Sequence, residues 1–373
     1  MLLTARRLLI ALLAAWDIRP TRGPRRKIAL RLLPVALAAL VSTAIPGLLL
    51  SSEDDKSPWP DMAVVASLEA APLEIVSPVA GSTGLAIFDP YATPGTFTKG
   101  QLHVHSTWSF DGWTSLPPGE LADEYRRLGY GFIVVTDHNV VAYTADRNRD
   151  ASFVAIPGFE STSDSGHITA LFANSPANPE LSAQERIDAI TGGGGMAVLG
   201  HPGWRIGYSD ADMRNLRGFS AVEIYNGMTM SQNDRLRANI EKWHQALNAK
   251  GPTNPIYAVA VDDAHEPRFR DTGWVAAKLG SISAASVRQA LRSGAFYASN
   301  GPSFSRIGVL DGAIAAASPE AETIRFIDQD LNVVSEGPPS LASYRPSERD
   351  RFIRIEAIAA NGTTAWSQPF WLG

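Results

Sequence analysis

From Gly100 to about His265 the sequence repeats one layout: a short apolar run of strand character, closed by histidine or a carboxylate and then by turn or helical residues. The predicted strands are Gln101–His105, Phe132–Thr136, Phe153–Pro157, Ile168–Phe172, Met196–Leu199, Ala221–Tyr225 and Tyr257–Val261. Helical patterns cover Gly119–Leu128, Ala183–Ile190, Met230–Asn248 and Ala284–Ser293. Strands alternating with helices imply an α/β fold with a parallel sheet, open or closed into a barrel. Such a sheet gathers its chemistry at the C-terminal ends of the strands, where the loops surround one crevice. Six of the seven histidines sit at predicted strand ends, and only His244 lies inside a helical stretch. Each alone is as readily a structural residue; their joint placement points to a metal site.

The rest of the composition narrows the chemistry. No cysteine is present, so any metal must be held by nitrogen and oxygen. A formal net charge of −5 offers no basic footprint, and no nucleic-acid partner is expected. Residues 29–50 are almost wholly apolar and about one bilayer thick. Arg19, Arg22, Arg25, Arg26 and Lys27 precede them; Glu53, Asp54 and Asp55 follow. This asymmetry predicts a basic cytoplasmic leader (1–28), a transmembrane or signal segment (29–50) and export of the remainder. The catalytic part is then membrane-anchored outside the cytoplasm, or secreted or periplasmic if cleavage follows Ser42-Thr43-Ala44; Pro46 and the long leader favour the anchor. A Pro-, Ser- and Gly-rich linker is expected over 51–98, the metal-binding domain over 99–302, and a small β domain over 303–373, where the helical patterns cease.

Spacing gives the candidate ligands. His103 and His105 are two apart and share a face of an extended chain. Asp111 follows in an Asp-Gly turn. Asp137-His138-Asn139 closes one apolar strand, Glu160 closes the next, His167 opens another, and His201 ends Met196–Leu199. Asp263 and His265 repeat the two-residue spacing after Tyr257–Val261. Glu223 and Asn226 are candidates to orient ligands from behind.

Taken in order, H-x-H, Asp-Gly, T-D-H-N, P-G-x-E, G-H, H-P and D-x-H resemble the PHP family, the polymerase and histidinol phosphatase domain. The resemblance implies a distorted (β/α)7 barrel with two or three divalent ions: one on His103, His105, Glu160 and Asp263, a second on Asp111, His138 and His265, a third on Glu160, His167 and His201. The catalytic residues it implies are Asp111, His138, Glu160, Asp263 and His265. One extra residue separates His105 from Asp111 relative to the commonest family spacing, and Val261-Asp262 replaces the usual glycine-serine. Gly273-Trp274, Ala295–Pro302 and Ala365–Pro369 resemble the CehA/McbA-type metallohydrolase subgroup.

Imidazole and carboxylate ligands suit zinc, manganese or iron. Three divalent ions against Asp111, Glu160 and Asp263 leave a positive site that favours a small anionic, phosphorylated substrate. The expected reaction is phosphate-ester hydrolysis by a metal-bridging hydroxide. Arg205, Arg268 and Arg270 follow ligands in sequence and are candidate phosphate contacts, though each also reads as solvated surface charge. Trp108, Trp113 and Trp204 lie beside ligands and suit either a pocket wall or the core. Two other readings stay open: hydrolysis of a carbamate, aryl ester or amide, and a non-catalytic binding protein whose metals are structural. An amidohydrolase-type barrel also opens with H-x-H but leaves T-D-H-N and D-x-H unexplained.

Overall fold

The computed structural model describes residues 79–80, 85–142, 144, 147–148, 150–229 and 234–373. The expected leader, apolar segment and most of the linker lie outside them; among the described residues no helix is long and apolar enough to cross a membrane. All described elements belong to one compact unit, Ala63–Gly373.

In chain order the first elements are β1 (Val79–Ala80), β2 (Ala86–Phe88), β3 (Thr96–Gln101), α1 (Pro118–Arg127), β4 (Phe132–Val134), β5 (Val154–Ile156), β6 (Gly158–Ser161) and β7 (Ile168–Leu171). Next come α2 (Ala183–Gly192), β8 (Met196–Leu199), α3 (Asp210–Asn215), β9 (Phe219–Asn226), α4 (Asp234–Lys250), β10 (Tyr257–Val261), β11 (Trp274–Leu279), α5 (Ala284–Ser293) and β12 (Phe296–Ser299). The remainder is strand: β13 (Arg306–Leu310), β14 (Ala313–Ala317), β15 (Thr323–Ile327), β16 (Val333–Gly337), β17 (Ala342–Tyr344), β18 (Phe352–Ile358), β19 (Thr364–Trp366) and β20 (Phe370–Leu372).

Local sequence sets the helix ends. Pro118 opens α1, with Glu120 in its first turn and Arg126 and Arg127 in its last, matching the helix dipole. Ser182 and Glu185 form a capping box on α2. Gly294 ends α5 at φ 78°, a conformation that favours glycine.

Two sheets carry the site. In the larger, β3, β4 and β5 run parallel and β3 continues through β11, β12 and β19 to β18, so β15, β16, β18, β19 and β20 extend the same sheet, while β13, β14 and β17 form a separate three-stranded sheet. In the other, β8, β9 and β10 are parallel, while β6–β7–β8 alternate in direction. The strands are therefore mixed in direction, where alternation alone implied a parallel sheet. The break falls at Pro157, which ends the 153–157 run and cannot donate to a ladder. Gly158 then passes so close to Val134 and the Ala170 carbonyl that a Cβ would fall 2.4 Å from the Val134 side chain. The chain thus leaves one sheet and enters the other, and Glu160 sits in β6 rather than at the end of β5.

Two isolated parallel bridges link the sheets, Val104 with Ala264 and His138 with Glu160. Backbone hydrogen bonds set them: His105 N donates to Ala264 O, Asp263 N to His103 O, and Asn139 N to Glu160 O. The ladder so formed passes through β4, β3, β10, β9, β8, β7 and β6 and returns to β4. Strands β4, β5, β8 and β10 are buried along their full length. Phe132, Val134, Ile156, Val198, Val259 and Val261 join both sheets in one apolar cluster. Burying each such side chain is worth about 1.5–3 kcal/mol.

Candidate metal centre

The two bridges carry most of the candidate ligands. His103 and His105 straddle Val104, just beyond the regular part of β3, and Asp263 and His265 straddle Ala264 opposite. His138 and Glu160 are themselves the second bridge. Three overlapping groups result, each with ligand atoms within 4.8 Å of one another: His105, Asp111, His138 and His265; His103, His105 and Glu160; and Glu160, His167 and His201.

The contacts fix the geometry. His103 Nε2 and His105 Nε2 are 3.0 Å apart, and Asp263 Oδ1 lies 3.3 and 3.0 Å from them. Glu160 Oε1 is 2.9 Å from His167 Nδ1 and 3.4 Å from His201 Nε2, while Oε2 is 2.6 Å from His138 Nδ1. Asp111 Oδ2 sits 3.3 Å from His138 Nε2 and 3.2 Å from His265 Nε2, so the extra residue before it does not keep it from the cluster. The structure brings all nine candidates together. It also puts His105 within reach of two groups, where the resemblance assigned it to one. His103, His105 and Glu160 are at most 1% exposed, whereas the Asp111 side chain is 40% exposed and marks the open side.

A set of supporting residues orients the rings. His103 Nδ1 is 2.7 Å from Glu223 Oε1, which turns its Nε2 lone pair inward. Glu223 also accepts from His201 N at 2.9 Å and from Asn226 Nδ2 at 3.0 Å, and Asn226 Nδ2 donates as well to Asp263 Oδ2 at 3.0 Å. Ser109 Oγ donates to Asp137 Oδ1 and accepts from His138 N, so the His105 Nδ1–H donates to it at 2.7 Å and His105 Nε2 is the free face. Asp137 further takes the backbone N–H and hydroxyl of Ser106. His265 Nδ1 is 3.0 Å from Asp263 O. Glu223 and Asn226 were readable as strand-end polar residues; Ser106, Ser109 and Thr162, whose hydroxyl lies 2.5 Å from His138 Nδ1, carried no signal in spacing. Three residues here, Asn139, His201 and Asp263, adopt positive φ without being glycine, a cost of about 1–3 kcal/mol each that tends to be retained where geometry serves function.

Electrostatics fit a cation. Burial opposes charge on His103, yet the carboxylates of Asp263, Glu223 and Glu160 hold its pKa well above the usual value. Burial also opposes charge on His138, but Asp111 and Glu160 raise it to about 10. Burial drives His105 down to about 3 against its bond to Asp263, helped by His265 and His138. Burial favours neutral Asp263 and Glu160, but the surrounding histidines hold both below the ordinary carboxylate range. Among the described residues, His201 Nδ1 is buried without a hydrogen-bond partner. Several inward-facing imidazole nitrogens around ionised carboxylates form a nitrogen–oxygen donor set that suits a divalent metal ion.

Around this centre, Trp204 packs edge-on to His167 and His201, and Phe110 stacks on His138 at 4.6 Å. Trp108, Phe110 and Trp113 are 50%, 65% and 71% exposed, so neither tryptophan of this loop is core. Arg205 is exposed and lies over the Trp204 ring. Arg268 pairs with Glu266 at 2.8 Å, and Arg270 is partly buried with Nε and Nη2 lacking partners among the described residues.

No protein-family model matches the chain. An uncharacterised protein of Methanocaldococcus jannaschii is 26% identical over 139 residues, 34% of this chain and 81% of that one. Among solved structures, a two-domain Bacteroides vulgatus protein containing a predicted PHP-like metal-dependent phosphoesterase is 15% identical, with a TM-score of 0.43 over 74% of this chain and 95% of its own. A Bifidobacterium adolescentis protein described as a metal-dependent phosphoesterase is 14% identical, TM-score 0.37, over 52% and 96%. A lesion-specific endonuclease from Pyrococcus furiosus is 13% identical, TM-score 0.38, over 52% and 56%. At TM-scores below 0.5 these likenesses decide nothing, and the functional reading rests on the geometry of the centre.

Proposed function

We propose that this chain is a metal-dependent phosphoesterase of the PHP type, built on a distorted (β/α)7 barrel and akin to the CehA/McbA subgroup. One observation carries the reading: eight histidines and carboxylates, all but Asp111 buried or half-buried, converge in three ligand groups linked by His105 and Glu160, with Asp263 beside His103 and His105. Divalent ions bound there would polarise a phosphoryl oxygen and lower the pKa of a water. Glu160 would serve two ions, and Asp111, on the open side, would meet the substrate's approach. Glu223 and the Ser109–Asp137 pair keep His103 and His105 in the tautomers that ligation requires. Anchoring through residues 29–50, with catalysis outside the cytoplasm, completes the proposal.

The exposed aromatics Trp108, Phe110 and Trp113 beside Asp111 favour a second reading, hydrolysis of a carbamate or aryl ester with an apolar group. The test is turnover of matched aryl phosphate monoester, phosphodiester and carbamate by the metal-reconstituted chain. A chelator-sensitive preference for one phosphate is expected, lost in Asp263→Asn and His138→Ala together with bound metal. Preference for the carbamate would establish the second reading. Metal binding without any turnover would refute both in favour of a binding protein.

A further inference from the structure

Arg186, on α2, is fully buried at 0% exposure. Among the described residues its guanidinium meets carbonyls and hydroxyls rather than a carboxylate. Nη1 donates to Ser161 O at 2.8 Å and Ser161 Oγ at 3.2 Å; Nη2 donates to Gly166 O at 2.8 Å and Ser165 Oγ at 3.0 Å. A buried cation without a counter-ion is expensive, and hydrogen bonds of this number and kind are what offset it.

Where those bonds land is informative. Ser161 directly follows Glu160, and Gly166 directly precedes His167. The planar fork of one guanidinium therefore spans the mouth of the β6–β7 hairpin whose two ends hold those candidate ligands. Nearby contacts serve the same end: Tyr208 Oη donates to His167 O at 2.7 Å, and Gly200 N donates to it at 2.9 Å. Gly166, at φ +101°, lies so close to Tyr208 that a Cβ would fall 2.6 Å from its ring. Glu160 and His167, 2.9 Å apart, are thus held from behind by α2.

We infer that Arg186 is a positioning residue for the ion on Glu160, His167 and His201. This rests on the metal-centre reading above. Arg186 touches none of the three ligand side chains; it sets the separation of two of them through their backbone. Lysine, with a single ammonium, cannot reproduce the fork.

Geometry and charge predict opposite signs, which makes the inference testable. Removing a positive charge near a cation site would tighten cation binding, whereas loosening the hairpin would weaken it. Zinc affinity of the full chain is measured by competition with a chromophoric chelator for wild type, Arg186→Met, Arg186→Lys and Arg354→Met. The last removes another buried arginine, which bonds His244 and none of the ligands. Arg186→Met is expected to weaken zinc on Glu160, His167 and His201 by about ten- to a hundredfold and to leave unchanged the zinc on Asp111, His138 and His265, a group that contains neither Glu160 nor His167. Arg186→Lys should weaken the same zinc to a smaller extent, and Arg354→Met should lower thermal stability without altering zinc binding. Wild-type or tighter zinc affinity in Arg186→Met overturns the role of Arg186; should that variant not fold, unchanged affinity in Arg186→Lys does so. Failure of wild type to bind zinc would instead fall on the metal-centre reading itself, and on this inference with it.

Discussion

His244, the one histidine outside the metal centre, should impose a measurable acid sensitivity on the fold. It lies on α4, is 3% exposed, and its Nε2 accepts from Arg354 Nε of β18 at 2.7 Å. A protonated ring could not accept that bond, and its charge would face a guanidinium. Burial first, and then Arg354, lower its pKa to about 2. In the unfolded chain the same ring titrates near 6.5, so below that pH the unfolded state binds a proton that the folded state refuses. Stability from this group is therefore fully present above about pH 6.5 and is lost as pH falls towards about 2. The slope is about 1.36 kcal/mol per pH unit, or roughly 2 kcal/mol between pH 6.5 and 5. His244→Gln keeps an acceptor for Arg354 but cannot titrate. Urea unfolding of both proteins at pH 7.5, 6 and 5, at saturating metal, should show the stability gap between them shift by about 2 kcal/mol in the variant's favour at the acid end. Parallel pH profiles would refute the reasoning, whatever the offset between them at pH 7.5.

Two further outcomes are expected. Glu223→Gln, which weakens the grip on His103 Nδ1, should lower metal affinity about ten- to a hundredfold while leaving the far-ultraviolet circular dichroism spectrum intact. Because Asp111 and Glu160 raise His138 to about 10, its ring carries a proton at pH 7 before ligation and must release it on binding a metal. Titration calorimetry in buffers of differing ionisation enthalpy should therefore show proton release, and a buffer-independent enthalpy would contradict the assignment of His138 as a ligand.

Much of the layout was legible because local signals agreed. Met196–Leu199, Tyr257–Val261 and Ala284–Ser293 appear at the expected residues, each an apolar run or amphipathic helix with clear boundaries. The strand expected at Gln101–His105 instead occupies Thr96–Gln101, and the two histidines lie beyond it around a single bridge. Periodicity cannot separate a regular ladder from an extended chain that bends around a site. Nor could it show that Phe153–Glu160 divides between two sheets, because the switch depends on Gly158 fitting against Val134 and Ala170. The pairing of β12 with β19, Ala298 opposite Trp366, is non-local and left no trace in either segment. At the centre, residue types pointed to ligands, but of the residues that aim them only Glu223 and Asn226 stood out. A serine such as Ser109 is ordinary until Asp137, His105 and His138 are seen around it.

The way the two sheets are joined bears on how the protein would respond to losing its ions. Each seam is a lone bridge, and a lone bridge offers little of the cooperativity that longer ladders provide. One seam is made of two candidate ligands and the other is flanked by four. A bound cation would act there as a rivet across the joint, adding stability in proportion to RT ln(1 + [metal]/Kd). Chelation should then first raise hydrogen exchange at the amides of His105, Asn139, Glu160 and Asp263, the stitches of those seams, while β8 and β10 stay protected.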